Sequence, residues 1–358
     1  MTALPVTETH EEQHVLAPGA RVFAYPDGRV TFGDGCHATH ITGVRPEDLA
    51  WLKQLLTTLP ERPYAQLSSP DTETAQRRRG ILTDIEHLIQ TDASELPVPG
   101  LLGERIANDA RYHRAPHLPD ADRTEKPGAY SRHHRSVWID GLDRCGMNIA
   151  FGLAAAGIGR ILSGDTQRVQ PWDLGTTPLR ITELGLNRTT ALQRHIERIH
   201  PHTSVIGALE LSHVIHCLDA VIYVRNDGLS PDELSQLAAL DVPVLPVILA
   251  HDHARIGPFI QSPGIDERSP LTCGECVTTT WLLREDRTEL SSPHLSAPET
   301  AQACVAAAIA VQHALHIIDR RTPPPSAHHS ISIDTETSAV TYQPATCQCG
   351  DQLNSQRN

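Results

Sequence analysis

The sequence predicts an α/β protein, a mostly parallel sheet of Rossmann type flanked by helices, preceded by a small α+β module. Three observations carry the prediction. From Ser136 onward, apolar strand-like runs alternate with amphipathic helical runs, the order that builds a parallel sheet covered on both faces. A glycine-containing turn joins the first strand of that series to its helix. Ahead of it, an alternating hairpin pattern and two helical segments fall within about 80 residues, a size typical of an independent module.

Each element has its own signal. RVFAYPDGRVTFGDG alternates apolar and polar residues around Pro26-Asp27-Gly28, the pattern of a half-buried hairpin. PEDLAWLKQLLTTL begins at Pro46 and places Leu49, Leu52, Leu55 and Leu56 at helical spacing behind an acidic first turn, which suits the positive end of a helix. A second helix is expected around AQRRRGILTDIEHLIQ. These elements define a module over residues 15–93. Residues 94–134 are polar and hold Pro97, Pro99, Pro116, Pro119 and Pro127 around one helical stretch near GERIANDARYH, and read as a linker. Residues 135–358 form the α/β domain. Its strands are SVWID, GRILSG, SVIGALE, DAVIYV and VPVLPVIL; its helices are NIAFGLAAAG, RTTALQRHIERIH and SPDELSQLAAL. A Cys-rich turn, the Ala-rich helix PETAQACVAAAIAVQHALHII and a hairpin, SISIDTETSAVTYQ, follow.

Composition narrows the function classes. The 358 residues carry 30 basic and 43 acidic side chains, a formal charge of -13, and no basic patch that would favour a nucleic-acid backbone. No apolar run approaches the roughly 18 residues of a membrane span, and MTALPVTETHEEQH is polar and acidic rather than signal-like. A cytoplasmic protein with neither nucleic acid nor membrane as partner is expected. Of eight cysteines, four lie in two close pairs and Cys36, Cys145, Cys217 and Cys304 are scattered, which suits a reducing compartment and one metal site better than a disulfide framework. Only Lys53 and Lys126 are lysines.

The glycine turn reads Gly141-Leu142-Asp143-Arg144-Cys145-Gly146. A nucleotide site uses such a turn so that backbone N–H groups and the helix N-terminus meet phosphates. Gly141 and Gly146 stand where G-x-G-x-x-G puts its first and last glycines, but the middle position is Asp143. A carboxylate there repels phosphate and occupies its space. Asp165, at the end of the second strand about 20 residues on, is placed to take ribose hydroxyls. The same glycines also serve plain close packing of strand, turn and helix, and Cys145 reads as a small packing residue.

The longer run, LAAAGIGRILSGD, then Val169, Asp173-Leu174-Gly175, ELGLNR and IHPHTSV, resembles the ThiF and ubiquitin-activating-enzyme superfamily. The likeness is greatest to the branch associated with ribosomally made, post-translationally modified peptides, and it covers roughly residues 135–351. It implies a ThiF-like fold, a homodimer, and an N-terminal winged helix-turn-helix that recognises a leader peptide. Adenylating members place asparagine and arginine where this chain has QRVQPWDLG, a lysine where Arg188 stands, and a magnesium-binding aspartate near Arg225, Asn226 and Asp227. Arginine replaces the point charge of lysine only with a wider planar head. With most of its phosphate-binding charges missing, the domain is expected to be a non-adenylating scaffold. The alternative is a working adenylyltransferase using ATP and magnesium through Asp165, Arg144, Arg188 and Asp227. An NAD-linked reductase ranks last, because no acid–base pair is readable.

Two further sites are expected. Cys273 and Cys276 in TCGEC, with Cys347 and Cys349 in TCQCGD, are close pairs on tight turns that can point four thiolates at a structural zinc, the C-x-C departing from the usual spacing; unliganded pairs or a redox disulfide are the alternatives. The histidines of GCHATH (with Cys36, His37 and His40) and of HDH (His251 and His253) read as loop residues, and Arg77, Arg78 and Arg79 as a solvated helix face able to attract an acidic peptide. A leader peptide would pair its main chain along residues 21–32, with Val22, Phe23, Tyr25, Leu49, Leu52 and Leu56 supplying contacts. The expected function is to hold a precursor peptide for a partner enzyme, in this family commonly a YcaO-type cyclodehydratase, since tethering raises effective concentration.

Overall fold

The structure, a computed structural model, describes residues 15–16, 22–32, 38–56, 72–85, 89–90, 101–103, 105–106, 109, 128–174, 176–207, 210–226, 228–261, 272–273, 298–319 and 323–345. The chain divides into two compact units, within residues 1–130 and 131–358.

In the first unit β1 (Val15–Leu16), β2 (Val22–Ala24), β3 (Val30–Phe32) and β4 (Thr39–Ile41) precede helices α1 (Pro46–Leu56) and α2 (Thr72–Asp84). A last strand, β5 (Ile89–Gln90), pairs antiparallel with β1. Strands β2, β3 and β4 form an antiparallel sheet with β3 in the centre. The β2–β3 turn closes through Gly28, whose φ of +78° suits glycine. Val30 and Phe32 meet Trp51 and Leu52 of α1 and Ile81 of α2 in a small core. Strand β4 corrects the expected loop at GCHATH: His40 lies in it, its Nδ1 2.9 Å from Thr31 Oγ1. Cys36 and His37 lie outside the described residues. The arginine run is also corrected. Asp48, fully buried in the first turn of α1, pairs with Arg77 at 2.6 Å and Arg78 at 3.1 Å, so two of the three arginines tie α2 to α1. Burial alone would raise the Asp48 pKa, but those two arginines outweigh it and lower it.

In the second unit the order is β6 (Ser136–Asp140), α3 (Arg144–Ala155), β7 (Arg160–Leu162), α4 (Arg188–Ile199), β8 (Ser204–Ile206), β9 (Ala220–Asn226), α5 (Pro231–Ala238) and β10 (Val244–Leu249). Strands β11 (His253–Ile256), β12 (Ile260–Gln261) and β13 (Thr272–Cys273) follow, then α6 (Thr300–Ile318), β14 (His329–Asp334) and β15 (Val340–Pro344). The sheet runs β15-β14-β11-β10-β9-β6-β7-β8. Its β10, β9, β6, β7 and β8 are parallel, and β11, β14 and β15 extend it antiparallel. The sequence pattern missed β11, which begins with His253 of HDH, and the two-residue β12 and β13.

Both faces of the sheet are apolar because alternate residues serve opposite sides. Val137 and Ile139 of β6 join the larger core, and Trp138 between them joins the smaller one beside α5. Helix α6 corrects the expectation about apolar runs. It spans 19 residues with a mean hydropathy of 1.5 in its most apolar window, long and apolar enough to cross a membrane by length and composition. Here it turns Ala303, Ala306, Ala307, Ala310 and Ala314 into the core. Gly152 of α3 gives it room, since a Cβ there would lie 2.8 Å from Val311. Beyond its end, the buried Asp319 carboxylate accepts from Arg132 Nη2 at 2.7 Å.

Candidate functional site

The parallel strands reverse direction of growth at β6: the chain passes through α3 to β7 on one side and later returns to β9 on the other. Such a switch point opens a crevice at the strands' carboxyl ends. A cleft of about 830 Å³ lies there, walled by the ends of β6 and β9, the glycine turn, residues 164–173 and Arg188.

The turn combines two closely packed glycines with a carboxylate at its centre. Gly141 has φ +91°, and a Cβ on it would lie 2.6 Å from Val224 O. A Cβ on Gly146 would lie 1.8 Å from Gly141 O. Both glycines are therefore required by the packing of strand, turn and helix. Asp143 is the N-cap of α3: its Oδ1 accepts from Cys145 N at 2.9 Å and Gly146 N at 3.0 Å. The helix amides that would meet an anion already meet this carboxylate. Burial pushes the Asp143 pKa up against the opposing pull of those amides and of Arg188. Cys145 is fully buried, and burial followed by the Asp143 charge pushes its thiol well above the usual range, in keeping with a packing role.

Asp165 lies where expected, at the mouth of the cleft, but both oxygens are engaged. Leu142 N donates to Oδ2 at 2.6 Å and Gln167 N to Oδ1 at 2.7 Å. The arginines are engaged as well. Arg188 donates side-on to Asp173, at 2.8 Å from Nε and 2.9 Å from Nη2, and its Nη1 donates to Gln167 Oε1 at 3.0 Å. Arg144 donates to Pro298 O at 3.1 Å, to Thr300 Oγ1 at 2.7 Å and to Trp172 O, joining α3 to the segment before α6.

Sequence reasoning missed two features. Asp173, fully buried, is the counter-ion of Arg188; it sits in a 3-10 turn, Pro171–Asp173, where its carboxylate also takes Gln170 N at 2.9 Å. The second is a network on the opposite wall. Arg225 donates to Glu233 Oε1 and Asp140 Oδ2, both at 3.0 Å, and lies 3.7 Å over the Tyr223 ring. Burial would raise the Glu233 pKa, yet the Ser230 amide, Arg225 and Tyr223 together bring it to about 2. The S-P-D-E run, a capping box at the start of α5, was the one signal for it in the sequence. Asp227 lies outside the described residues.

The other predicted site residues fall as follows. Leu52 is 2% exposed in the core of the first unit and offers no surface to a ligand, because it packs against β3. Val22, Phe23 and Leu49 are half-buried. Tyr25 is exposed with Arg29 over its ring at 4.2 Å, and the Leu56 side chain lies outside the described residues. Strand β3 is paired on both sides, so within residues 21–32 a peptide strand can add only along β2. Cys273 ends β13; its side chain, and Cys276, Cys347 and Cys349, lie outside the described residues. Among the described residues no group of three or more His, Cys, Asp or Glu side chains is arranged to hold a metal ion.

No family model matches the chain, and no curated protein sequence matches it. Solved structures do. The crystal structure of PaaA is 15% identical, with a TM-score of 0.66, over 91% of this chain and 98% of that one. Escherichia coli MccB with MccA-N7isoASN is 17% identical, with a TM-score of 0.62, over 94% and 97%. MccB with ATP is 17% identical, with a TM-score of 0.58, over 93% and 97%. At these identities the likeness establishes the fold: the mixed α/β architecture with a mostly parallel central sheet and a small three-stranded antiparallel sheet is theirs, the ThiF-like fold expected from the residues.

Proposed function

We propose that this protein works in the biosynthesis of a ribosomally made peptide natural product, holding the leader of a precursor peptide for a partner enzyme without adenylating anything itself. One observation carries the reading. Every guanidinium lining the cleft is paired within the protein, and the first amides of α3 are capped by Asp143. A triphosphate needs free positive groups, because adenylation is largely stabilisation of charge. Here it would have to displace two carboxylates, Asp143 and Asp173, from buried hydrogen bonds. Loss of the chemistry with retention of the fold is what a scaffold requires.

The peptide half of the reading has separate support. MccB, whose fold this chain shares, is a microcin C7 biosynthetic enzyme solved in complex with N-formylated MccA. The first unit has the small α+β form expected of a leader-binding module, with β2 as the strand of the hairpin that a peptide extends. The partner is an enzyme that modifies the peptide, of the YcaO-type cyclodehydratase class. The test combines two assays on the full chain: titration with the leader encoded beside the gene, and ATP–pyrophosphate exchange with peptide present. Saturable leader binding without exchange is the expected result. Exchange above background would replace the scaffold with an adenylyltransferase.

A further inference from the structure

The walls of the cleft are unevenly satisfied. On the donor side, Arg188 and Arg225 each use all three guanidinium nitrogens on protein acceptors, and both terminal nitrogens of Arg144 are engaged; the buried Arg144 Nε alone has no partner among the described residues. On the acceptor side there is spare capacity. Asp143 receives both of its amides on Oδ1, and Asp140 receives Arg225 on Oδ2. Among the described residues the second oxygen of each carboxylate accepts nothing. Among the described residues, the amide oxygen of Asn226, at the end of β9, is buried with no hydrogen-bond partner, and Asn226 lines the same cleft. An unpaired buried acceptor is costly in a folded protein and asks for a donor. The charge balance agrees, because four carboxylates (Asp140, Asp143, Asp165, Asp173) face three guanidinium groups across the cleft.

A ligand that completes such a wall brings donors and positive charge. We infer that the cleft binds an ammonium or guanidinium group, as carried by a basic side chain or the N-terminus of a held peptide, seated between Asp143, Asp140 and Asn226. Ammonium and guanidinium groups donate without accepting, so they match what the cleft has left over. Among the described residues, no group of three or more acidic, histidine or cysteine side chains is arranged there to hold a metal ion. The inference deepens the non-adenylating reading of this cleft and rests on it: the fold's anion seat, filled by its own carboxylate, has become one face of a cation seat.

The probe is agmatine, titrated calorimetrically into the full chain beside ATP–Mg²⁺ and inorganic pyrophosphate. Agmatine is expected to bind saturably, and the two anions not to bind. Asp143→Asn keeps an N-cap residue and removes the charge; it should weaken agmatine about tenfold, the worth of one charge-assisted hydrogen bond. Asn226→Asp should tighten it, a gain that simple damage to the fold would not produce, and it serves as the test if the first variant fails to fold. Pyrophosphate binding in preference to agmatine, or agmatine binding indifferent to both substitutions, would overturn the inference. Leader binding without agmatine binding would overturn it while leaving the proposed function standing; agmatine binding without leader binding would do the reverse.

Discussion

Two arginine–aspartate pairs in the second unit are built alike and mean different things. Arg132 and Arg188 each present Nε and Nη2 side-on to a carboxylate, Asp319 and Asp173 respectively. In each pair both side chains are 5% exposed or less. The difference lies in where the third nitrogen goes. Arg132 Nη1 donates to Ala156 O at 2.9 Å inside the core, beyond the end of α3, and Arg188 Nη1 donates to Gln167 in the wall of the cleft. The first pair fastens α6 to the sheet. The second ties up a guanidinium that lines the cleft, so an interaction that reads as stability in one place bears, under the proposed function, on what the cleft can bind in the other.

Breaking the first pair should have the largest effect. Arg132→Met leaves the Asp319 carboxylate buried beside an apolar side chain, which costs about 3–5 kcal/mol, measured as a shift in denaturant midpoint. Arg132→Met with Asp319→Leu should recover part of that loss, because what hurts is a buried charge that has lost its arginine rather than the missing bridge. Equal losses in the single and double variants would mean that the pair's geometry, and not charge burial, holds α6.

A smaller effect should come from His313, on α6, which makes an acid-sensitive contact. Its Nδ1 lies 2.9 Å from Ser326 Oγ, and burial, helped by the charge of His316, lowers its pKa from 6.5 to about 4. The unfolded chain therefore binds a proton that the folded chain refuses between those values. Stability should fall as pH drops from about 6.5 towards 4, by up to about 3 kcal/mol from this residue, and its contribution should level off below. His313→Asn should flatten that part of the curve. An unchanged acid limb would assign the sensitivity to other groups.

The same contrast shows what the residues disclosed in advance. Periodicity revealed the parallel strands, because Val137, Trp138 and Ile139 are apolar on both faces, and the glycine turn announced itself through Gly141, Asp143 and Gly146. Asp165 was legible from its distance along the chain. Asp173 was not, since its meeting with Arg188 depends on a 3-10 turn that no periodic pattern marks. Nor was the Asp140–Arg225–Glu233 network, whose members come from two strands and a helix. Arg77 and Arg78 read as solvated charges, because nothing local shows that α2 lays them against a buried Asp48 in α1. Strands of two residues, such as β12 and β13, are too short for an alternating pattern to register.

The central claim of the proposed function is that Asp143 and Asp173 together keep triphosphate out of the cleft. The direct measurement is calorimetry of ATP–Mg²⁺ with the wild-type chain beside the double variant Asp143→Gly with Asp173→Asn, which frees the helix amides and the Arg188 charge. The account predicts no ATP heat in the wild type and measurable binding in the variant, at least about tenfold above any wild-type signal, the equivalent of about 1.4 kcal/mol. Wild-type binding, or a folded variant that still ignores ATP, would contradict it.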